Sequence, residues 1–588
     1  MYKFAFFLFL IGILPTAAAD RLESWYRLMP EHTAAVIAVK NTQELLTQWD
    51  AGTFSKFMQD AAVQRWLAPM NKNGDAPWDD VFKKRYGSSM KDVLKECPGA
   101  LACFVVAEDL AAFQDSSTCV NLCEATGKQQ ELEARKQAEA ALEMKRNAKL
   151  RLEALDLSGV RAQIVTADLE KDACYTAWAF VGDVMISANS RKLLERMIAA
   201  LQNGTANSAS AVAQEHLTRI RQHTRDGGDV MVYFNGVKLL ELGQKALAES
   251  EAKKKNESKV AASLGFNLNP AQIMAALGVH ELQAVAFTLE MRQQQTRADL
   301  TLLHTPQPTG VLSLLRASAT GVSLPSFIPA DAQQGAVTRH DLGRIYDSLM
   351  GIINRLGPVA MLVTMQIPQF EQQLGFKIRS DLFGSLADEI ATIQAGESEE
   401  AGQVFACKIK DHEKLGHALA GLKRFISAGF GTFEKSEHQG YEISTLKFSD
   451  ATSTASQMAL CDTGTHLLIS IGAPQTLHKV LSRMRDPGAG SSIWEDSQVR
   501  RMLALTPENY SGVSVADVGG MLHTVAAAAA KKNTASKKTA SNDADKILEA
   551  QALPPREVFQ RYFGHMLGTQ FSHADAIQFS YLSLPPQE

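Results

Sequence analysis

The chain has 588 residues, 45% hydrophobic and 21% charged, which is ordinary for a globular protein and enough for large cores. A formal net charge of −4 is nearly balanced for that length and weighs against a nucleic-acid binder, which usually shows a basic face. The 7% aromatic content shows no interleaving with basic residues of the kind that holds single strands.

The N-terminus reads MYKFAFFLFLIGILPTAAAD. Lys3 supplies a positive start, Phe4 to Leu14 an unbroken apolar run, Pro15 a helix break, and Ala17-Ala18-Ala19 the small residues a signal peptidase needs. The apolar run is about 11 residues, roughly half a membrane-spanning helix. Residues 1–19 are therefore expected to be a signal peptide cleaved after Ala19, with no cysteine behind it to carry a lipid. No later apolar stretch approaches about 18 residues, so no membrane span is expected after cleavage. The mature chain is expected in the periplasm or secreted.

Beyond the signal the pattern runs twice. Thr33 to Val39 (TAAVIAV) predicts a buried strand and residues 42–60 a helix with Leu45, Leu46, Trp49, Phe54 and Phe57 apolar. In the second half Phe327-Ile328-Pro329 leads into a strand at Gly335 to Thr338 and a helix at Leu342 to Ile353. Each half continues with a short helix and a strand: Tyr86 to Leu94 then Ala100 to Val106, and Gly375 to Phe383 then Glu389 to Gln394. Next comes a turn, a strand and an amphipathic helix. Val184-Met185-Ile186-Ser187 precedes Arg191 to Leu201, and Leu467-Leu468-Ile469-Ser470 precedes Pro474 to Met484. Strand and helix follow again at Asp229 to Leu247 and at Tyr510 to Ala528, and alternating strands at Gln283 to Leu289 and Ala576 to Leu582 match as the ends. Short alternating strands and hairpins such as Gln439-Gly440 predict α+β architecture, with antiparallel sheets and helices on one face. The expected organisation is two related tandem halves, residues 20–320 and 321–588.

Three segments stand outside this plan. Gly127 to Leu157 is charged, with Ala134, Ala138, Ala141, Ala148, Leu152 and Leu155 in steps of four and three interrupted at Lys145, which predicts a long helical insertion of coiled-coil type or a solvated surface helix. Residues 249–259 read as a polar linker, and 531–545 as low-complexity and disordered. Seven cysteines, Cys97, Cys103, Cys119, Cys123, Cys174, Cys407 and Cys461, are too few for a disulfide scaffold and odd in number. Cys97 with Cys103, or Cys119 with Cys123, could bridge locally.

The sequence resembles a bacterial family of uncharacterised secreted proteins, a domain of unknown function. The resemblance rests on Met29-Pro30-Glu31-His32-Thr33, on the Trp49 helix ending near Asp60 to Val63, and on Leu264-Gly265-Phe266 through Leu277-Gly278. The segment Gly375 to Glu389 and the two strand-helix units ending in isoleucine-serine add to it. The resemblance implies export and a duplicated α+β body, and it brings no catalytic residues.

Catalytic motifs fail on geometry. His412 and His417 are five apart, about 140° around a helix, so they cannot share a zinc ion as a metalloprotease pair would. His280-Glu281 has no second histidine at the required spacing. Ser88-Ser89-Met90-Lys91 lacks the K-T-G that completes a penicillin-recognising site, with Ser541-Asn542-Asp543 in the low-complexity stretch. No G-x-S-x-G or phosphate-binding G-x-x-x-x-G-K is present, and Gly429-Phe430-Gly431 has no third glycine. The acidic groups Asp388-Glu389 and Glu397 with Glu399-Glu400, and the single histidines His340, His466, His478 and His523, read as solvated or structural. No catalytic, cofactor-binding or metal-binding residues are assigned and no cofactor is expected. The function expected is a non-catalytic binding or scaffolding protein of the bacterial cell envelope, whose partner is an envelope component or another protein. The alternative is a secreted hydrolase with an unfamiliar site between the halves.

Overall fold

The computed structural model describes residues 17–68, 90–107, 118–204, 210–224, 228–254, 270–292, 295–395, 402–429, 431–448, 457–488, 490–535 and 553–586. Most of the expected signal peptide lies outside them; a helix spans Ala17–Arg27. The chain divides into two compact units. The first comprises Met1–Ser258, Leu282–Leu303 and Asn542–Ile547, and the second Lys259–Glu281, His304–Ser541 and Leu548–Glu588. The boundary drawn at residue 320 from sequence compares with a changeover between Leu303 and His304.

Among the described residues the first unit carries ten strands: β1 (Thr33–Val39), β2 (Leu101–Val106), β3 (Thr118–Glu124), β4 (Arg151–Leu157), β5 (Val160–Thr166), β6 (Ala173–Val181), β7 (Val184–Ser190), β8 (Val230–Asn235), β9 (Leu282–Arg292) and β10 (Gln295–His304). Their order across the sheet is β4-β5-β6-β7-β3-β2-β1-β8-β9-β10, antiparallel from β4 to β9. β1 is buried along nearly its whole length, as its alanines and β-branched residues dictate for a central strand. Two turns are set by backbone handedness. Ser158 and Gly159 both have positive φ (56° and 80°) in the two-residue β4–β5 hairpin, the mirror-image turn that matches strand twist. Gly182 (φ 57°) turns β6 into β7.

On one face of this sheet lies the Gln129–Arg146 helix, with Leu132 against Cys123 and Met185 and Ala140 against Val165 and Trp178. The Arg191–Asn203 helix, capped by the Ser190 hydroxyl on the Leu193 amide, buries Leu193, Leu194, Met197 and Ile198. One disulfide joins Cys97, in the turn before β2, to Cys123 on β3, so neither expected local pair forms.

The second unit has β11 (Gln334–Arg339), β12 (Leu386–Gln394), β13 (Gln403–Ile409), β14 (Gly431–His438), β15 (Tyr441–Phe448), β16 (Met458–Asp462), β17 (His466–Ile471), β18 (Gly512–Asp517), β19 (His565–Ser572) and β20 (Ala576–Ser583). Their order is β14-β15-β16-β17-β13-β12-β11-β18-β19-β20, antiparallel throughout. Adding ten to every strand number of the first order gives the second. The turns agree too: Gln439 and Gly440 (φ 54° and 83°) join β14 to β15, and Gly464 (φ 83°) joins β16 to β17.

Here helices cover both faces of the sheet, not the single face expected. Leu477, Val480, Leu481, Val499 and Met502 pack with Ala406, Leu468, Val513 and Leu567 in the main core. Leu415 and Leu419, from the His412–Ser427 helix, pack with Cys407 and Leu467 on the other side. Alternation along β13 and β17 sends neighbours to opposite faces, and both faces are apolar.

Three further expectations change. The charged segment from Gly127 to Leu157 is not a single helical insertion: its helix ends at Arg146, and Leu152 and Leu155 lie in β4. The Asn147 side chain accepts from the Lys149 amide and closes the turn. The alanine stripe Ala134–Ala138–Ala141 faces solvent, while Leu132 and Ala140 are buried. The polar stretch from residue 249 begins as helix, since Gly236–Lys254 is continuous, and the low-complexity stretch begins as helix within Val518–Ala535. The two closing strands matched in sequence, Gln283 to Leu289 and Ala576 to Leu582, are β9 and β20, which differ by one place in strand order.

Candidate functional site

The Gln129–Arg146 helix opens a cleft on each side of itself. On the β3–β7 side the cleft has a volume of about 240 Å3. Its floor is polar: Asn121 and Ser187 are directly paired across β3 and β7, with the Asn121 amide 3.4 Å from the Ser187 hydroxyl. Asn189 accepts from the Cys119 backbone amide at 2.8 Å, and Thr176 stands beside them on β6. Tyr175 lines the rim, 46% exposed. The helix wall presents Lys136, Glu139 and Glu143. Glu139 is held by Lys136 at 2.8 Å and by Arg135 at 3.4 Å, and Glu143 by Arg146 at 2.6 Å.

On the other side a more open groove of about 550 Å3 has Gln130, Gln137, Gln163 and Arg161 around the buried Trp178. The Trp178 indole donates to one oxygen of Glu133 and the Gln137 amide to the other, each at 2.8 Å. The carboxylate is thereby committed to holding the helix on the sheet.

The same place in the second unit is closed by apolar side chains. Counting from the helix start, Leu132 and Leu415 are equivalent fourth residues, and both pack on the strand pair below. Lys136, Glu139 and Glu143 then correspond to Leu419, Leu422 and Ile426. On the sheet, Asn121 and Ser187 lie two residues before Cys123 and two after Met185; Phe405 and Ile469 hold those positions relative to Cys407 and Leu467.

Glu139 and Glu143 project from one helix, four residues apart, so they stand on the same side of anything in the cleft. Glycoside hydrolysis needs carboxyl groups flanking the bond. Burial pushes the Cys103 thiol, on neighbouring β2, up to about 12, with the nearby Cys119 adding to the shift. Burial also raises Cys174 to about 11, the Asp172 carboxylate contributing. Both thiols are protonated at neutral pH and poor nucleophiles.

The residues weighed in the sequence lie elsewhere. His412 sits 3.0 Å from Asp462 at the start of its helix. Glu281 accepts from the Thr309 hydroxyl at 2.6 Å. Burial pushes the Asp388 carboxyl upward, but the Arg339 fork and the Ser318 hydroxyl outweigh it and hold Asp388 below the usual carboxylate range. Glu389 accepts from Ser323, and Lys91 pairs with Asp50 at 2.6 Å. His438 and His478 stack with ring centroids 4.2 Å apart. Ser88, Ser89, Glu397, Glu399, Glu400 and Ser541 to Asp543 lie outside the described residues. Among the described residues no three His, Cys, Asp or Glu side chains converge as metal ligands. Sequence reasoning missed the cleft, because Asn121 and Ser187 are 66 residues apart and meet only through the β3–β7 register. The signal available was polar residues on the inward positions of a strand.

No protein-family model matches the chain, and no curated protein matches it. Among solved structures the chain is similar to crystal form I of TP0453, at 12% identity and a TM-score of 0.20, covering 47% of this chain and 77% of that one. It is likewise similar to crystal form III of TP0453, at 11% identity and a TM-score of 0.23, covering 51% and 89%. Likeness of that strength fixes neither fold nor function.

Proposed function

We propose that the chain is an exported, non-catalytic binding protein of the bacterial cell envelope, built from two tandem copies of one ten-stranded α+β body. The duplication is supported by the agreement of strand order, helix placement and hairpin turns between the two units. Export is supported by the sequence of residues 1–19. Among the described residues no helix is long and apolar enough to cross a membrane.

The observation that carries the binding function is the β3–β7 cleft: amide and hydroxyl groups line its floor, and its carboxylates are ion-paired on a single wall. Such a surface can satisfy hydrogen bonds of a bound molecule without supplying an acid and a base across it. The test has two arms. A fusion of residues 1–30 to alkaline phosphatase, active only outside the cytoplasm, should give activity that deletion of Phe4–Leu14 abolishes. The purified mature chain should co-sediment with cell-envelope fractions; a chain that stays in the supernatant with every fraction refutes the binding role.

A further inference from the structure

We infer that the β3–β7 cleft is a saccharide site that holds a single neutral sugar ring. This rests on the proposed binding function and names its ligand class. The second unit serves as an internal control. There the same helix lies on the same strand pair with Leu415, Leu419, Cys407, Leu467 and Ile469 in one apolar cluster. The architecture is therefore satisfied by apolar packing at this place. In the first unit Lys136, Glu139, Asn121 and Ser187 stand there instead, ion-paired or hydrogen-bonded with one another, and an open cleft of about 240 Å3 takes the place of the apolar packing.

The groups present select the ligand. Asn121, Ser187 and Thr176 bring both donor and acceptor atoms to the lining, as a ring of hydroxyls requires. Glu139 and Glu143 add acceptors for hydroxyl protons. Lys136, Arg135 and Arg146 are matched by three carboxylates, Glu139, Glu143 and Glu96, leaving no excess of positive charge to favour a phosphate. Tyr175, at the rim, presents an aromatic face of the kind that lies against the C–H face of a pyranose. A volume of about 240 Å3 has room for one ring and not for a long oligomer, whose further units would extend past Tyr175 into solvent.

Saturation-transfer NMR of the full mature chain with glucose, galactose, N-acetylglucosamine and N-acetylmuramic acid tests this. At least one neutral sugar should receive saturation at its ring protons. Tyr175→Ala, at an exposed position, should weaken that sugar by about tenfold. Asn121→Phe with Ser187→Ile, which installs the second unit's residues, should abolish binding with the circular dichroism unchanged. Gln163→Ala, in the other groove, should bind as the parent does. No transfer from any of the three neutral sugars at roughly 20 mM overturns the inference, even where N-acetylmuramic acid, which carries a carboxylate, responds; so does binding that Tyr175→Ala leaves unaltered. Co-sedimentation with purified sacculi separates the two levels. Pelleting that the soluble sugar competes away assigns the site to polymer-borne sugar. Pelleting with no response to any sugar overturns this inference alone, and no pelleting with any envelope fraction overturns the binding function as well.

Discussion

Two glycines in the His412–Ser427 helix should respond to alanine with opposite signs. A Cβ added at Gly416 meets nothing within 4 Å, so Gly416→Ala should realise the ordinary helix-propensity gain of about 1 kcal/mol. A Cβ at Gly421 would sit 2.5 Å from the Leu374 carbonyl oxygen and 2.8 Å from the Phe376 ring. That carbonyl belongs to the last turn of the Pro358–Leu374 helix, fixed by Gly375 in the left-handed region at φ 79°, so it has little freedom to retreat. Overpacking of this kind costs about 1–3 kcal/mol, against the same gain of about 1 kcal/mol. Gly421→Ala should therefore lose up to about 2 kcal/mol net, and the two variants should differ by roughly 1–3 kcal/mol. Guanidinium unfolding followed by the fluorescence of Trp494, the tryptophan of the second unit's core, measures both. Hydrogen exchange of the 412–428 peptide gives a local reading of the same difference. Equal shifts in the same direction would refute the close helix contact.

Loss of the Cys97–Cys123 bridge, which closes a loop of sequence separation 26, should lower stability by about 3.5 kcal/mol from loop entropy. An unfolding midpoint indifferent to reductant would show that the bridge does not form. Burial holds His216 below its ordinary range, with Arg219 adding to the effect, while its ring meets the Tyr233 hydroxyl at 3.2 Å. Because the folded-state value is depressed, this contribution is complete above the unfolded value of about 6.5 and declines as pH falls below it. His216→Gln should flatten the acid limb of the stability profile there, and an unchanged slope would count against a neutral buried imidazole. Trp178→Ala removes a fully buried ring and its bond to Glu133 and should cost about 3–5 kcal/mol, read by thermal unfolding.

Much of the fold was legible because its strands alternate locally. TAAVIAV matches β1 residue for residue, and the Gly182 and Gly464 turns, the Gln439-Gly440 hairpin and the helices after β7 and β17 all carry short-range signals. The charged segment misled because its alanines keep a coiled-coil step while its packing rests on Leu132 and Ala140, too few apolar residues to mark a face. The closing strands were paired one place out because β9, β10, β19 and β20 alternate alike, and period-two patterns carry no index of position. The disulfide and the cleft depend on register between strands far apart in sequence. Cys97 meets Cys123 because β2 and β3 pair Leu101 with Cys123, a fact no spacing rule contains.

The proposed duplication also explains why the first unit has a disulfide where the second has none. Cys123 and Cys407 occupy the same place under the fourth residue of the overlying helix, and their neighbours are Cys97 in one unit and Leu386 in the other. In the second unit the helix is held by Leu415 and Leu419, and fully burying one such leucine is worth about 1.5–3 kcal/mol. In the first unit Lys136 stands where Leu419 would, so the polar cleft is obtained by giving up one of these contacts. A covalent link at the base of the same helix, worth about 3.5 kcal/mol, is of the size needed to offset that loss. The crosslink and the cleft are then two parts of one departure from the shared body. A chain carrying the second unit's residues at Asn121, Lys136, Glu139 and Ser187 should accordingly unfold at a higher midpoint than the parent when both are reduced, a gain of about 1.5–3 kcal/mol, that of one buried leucine.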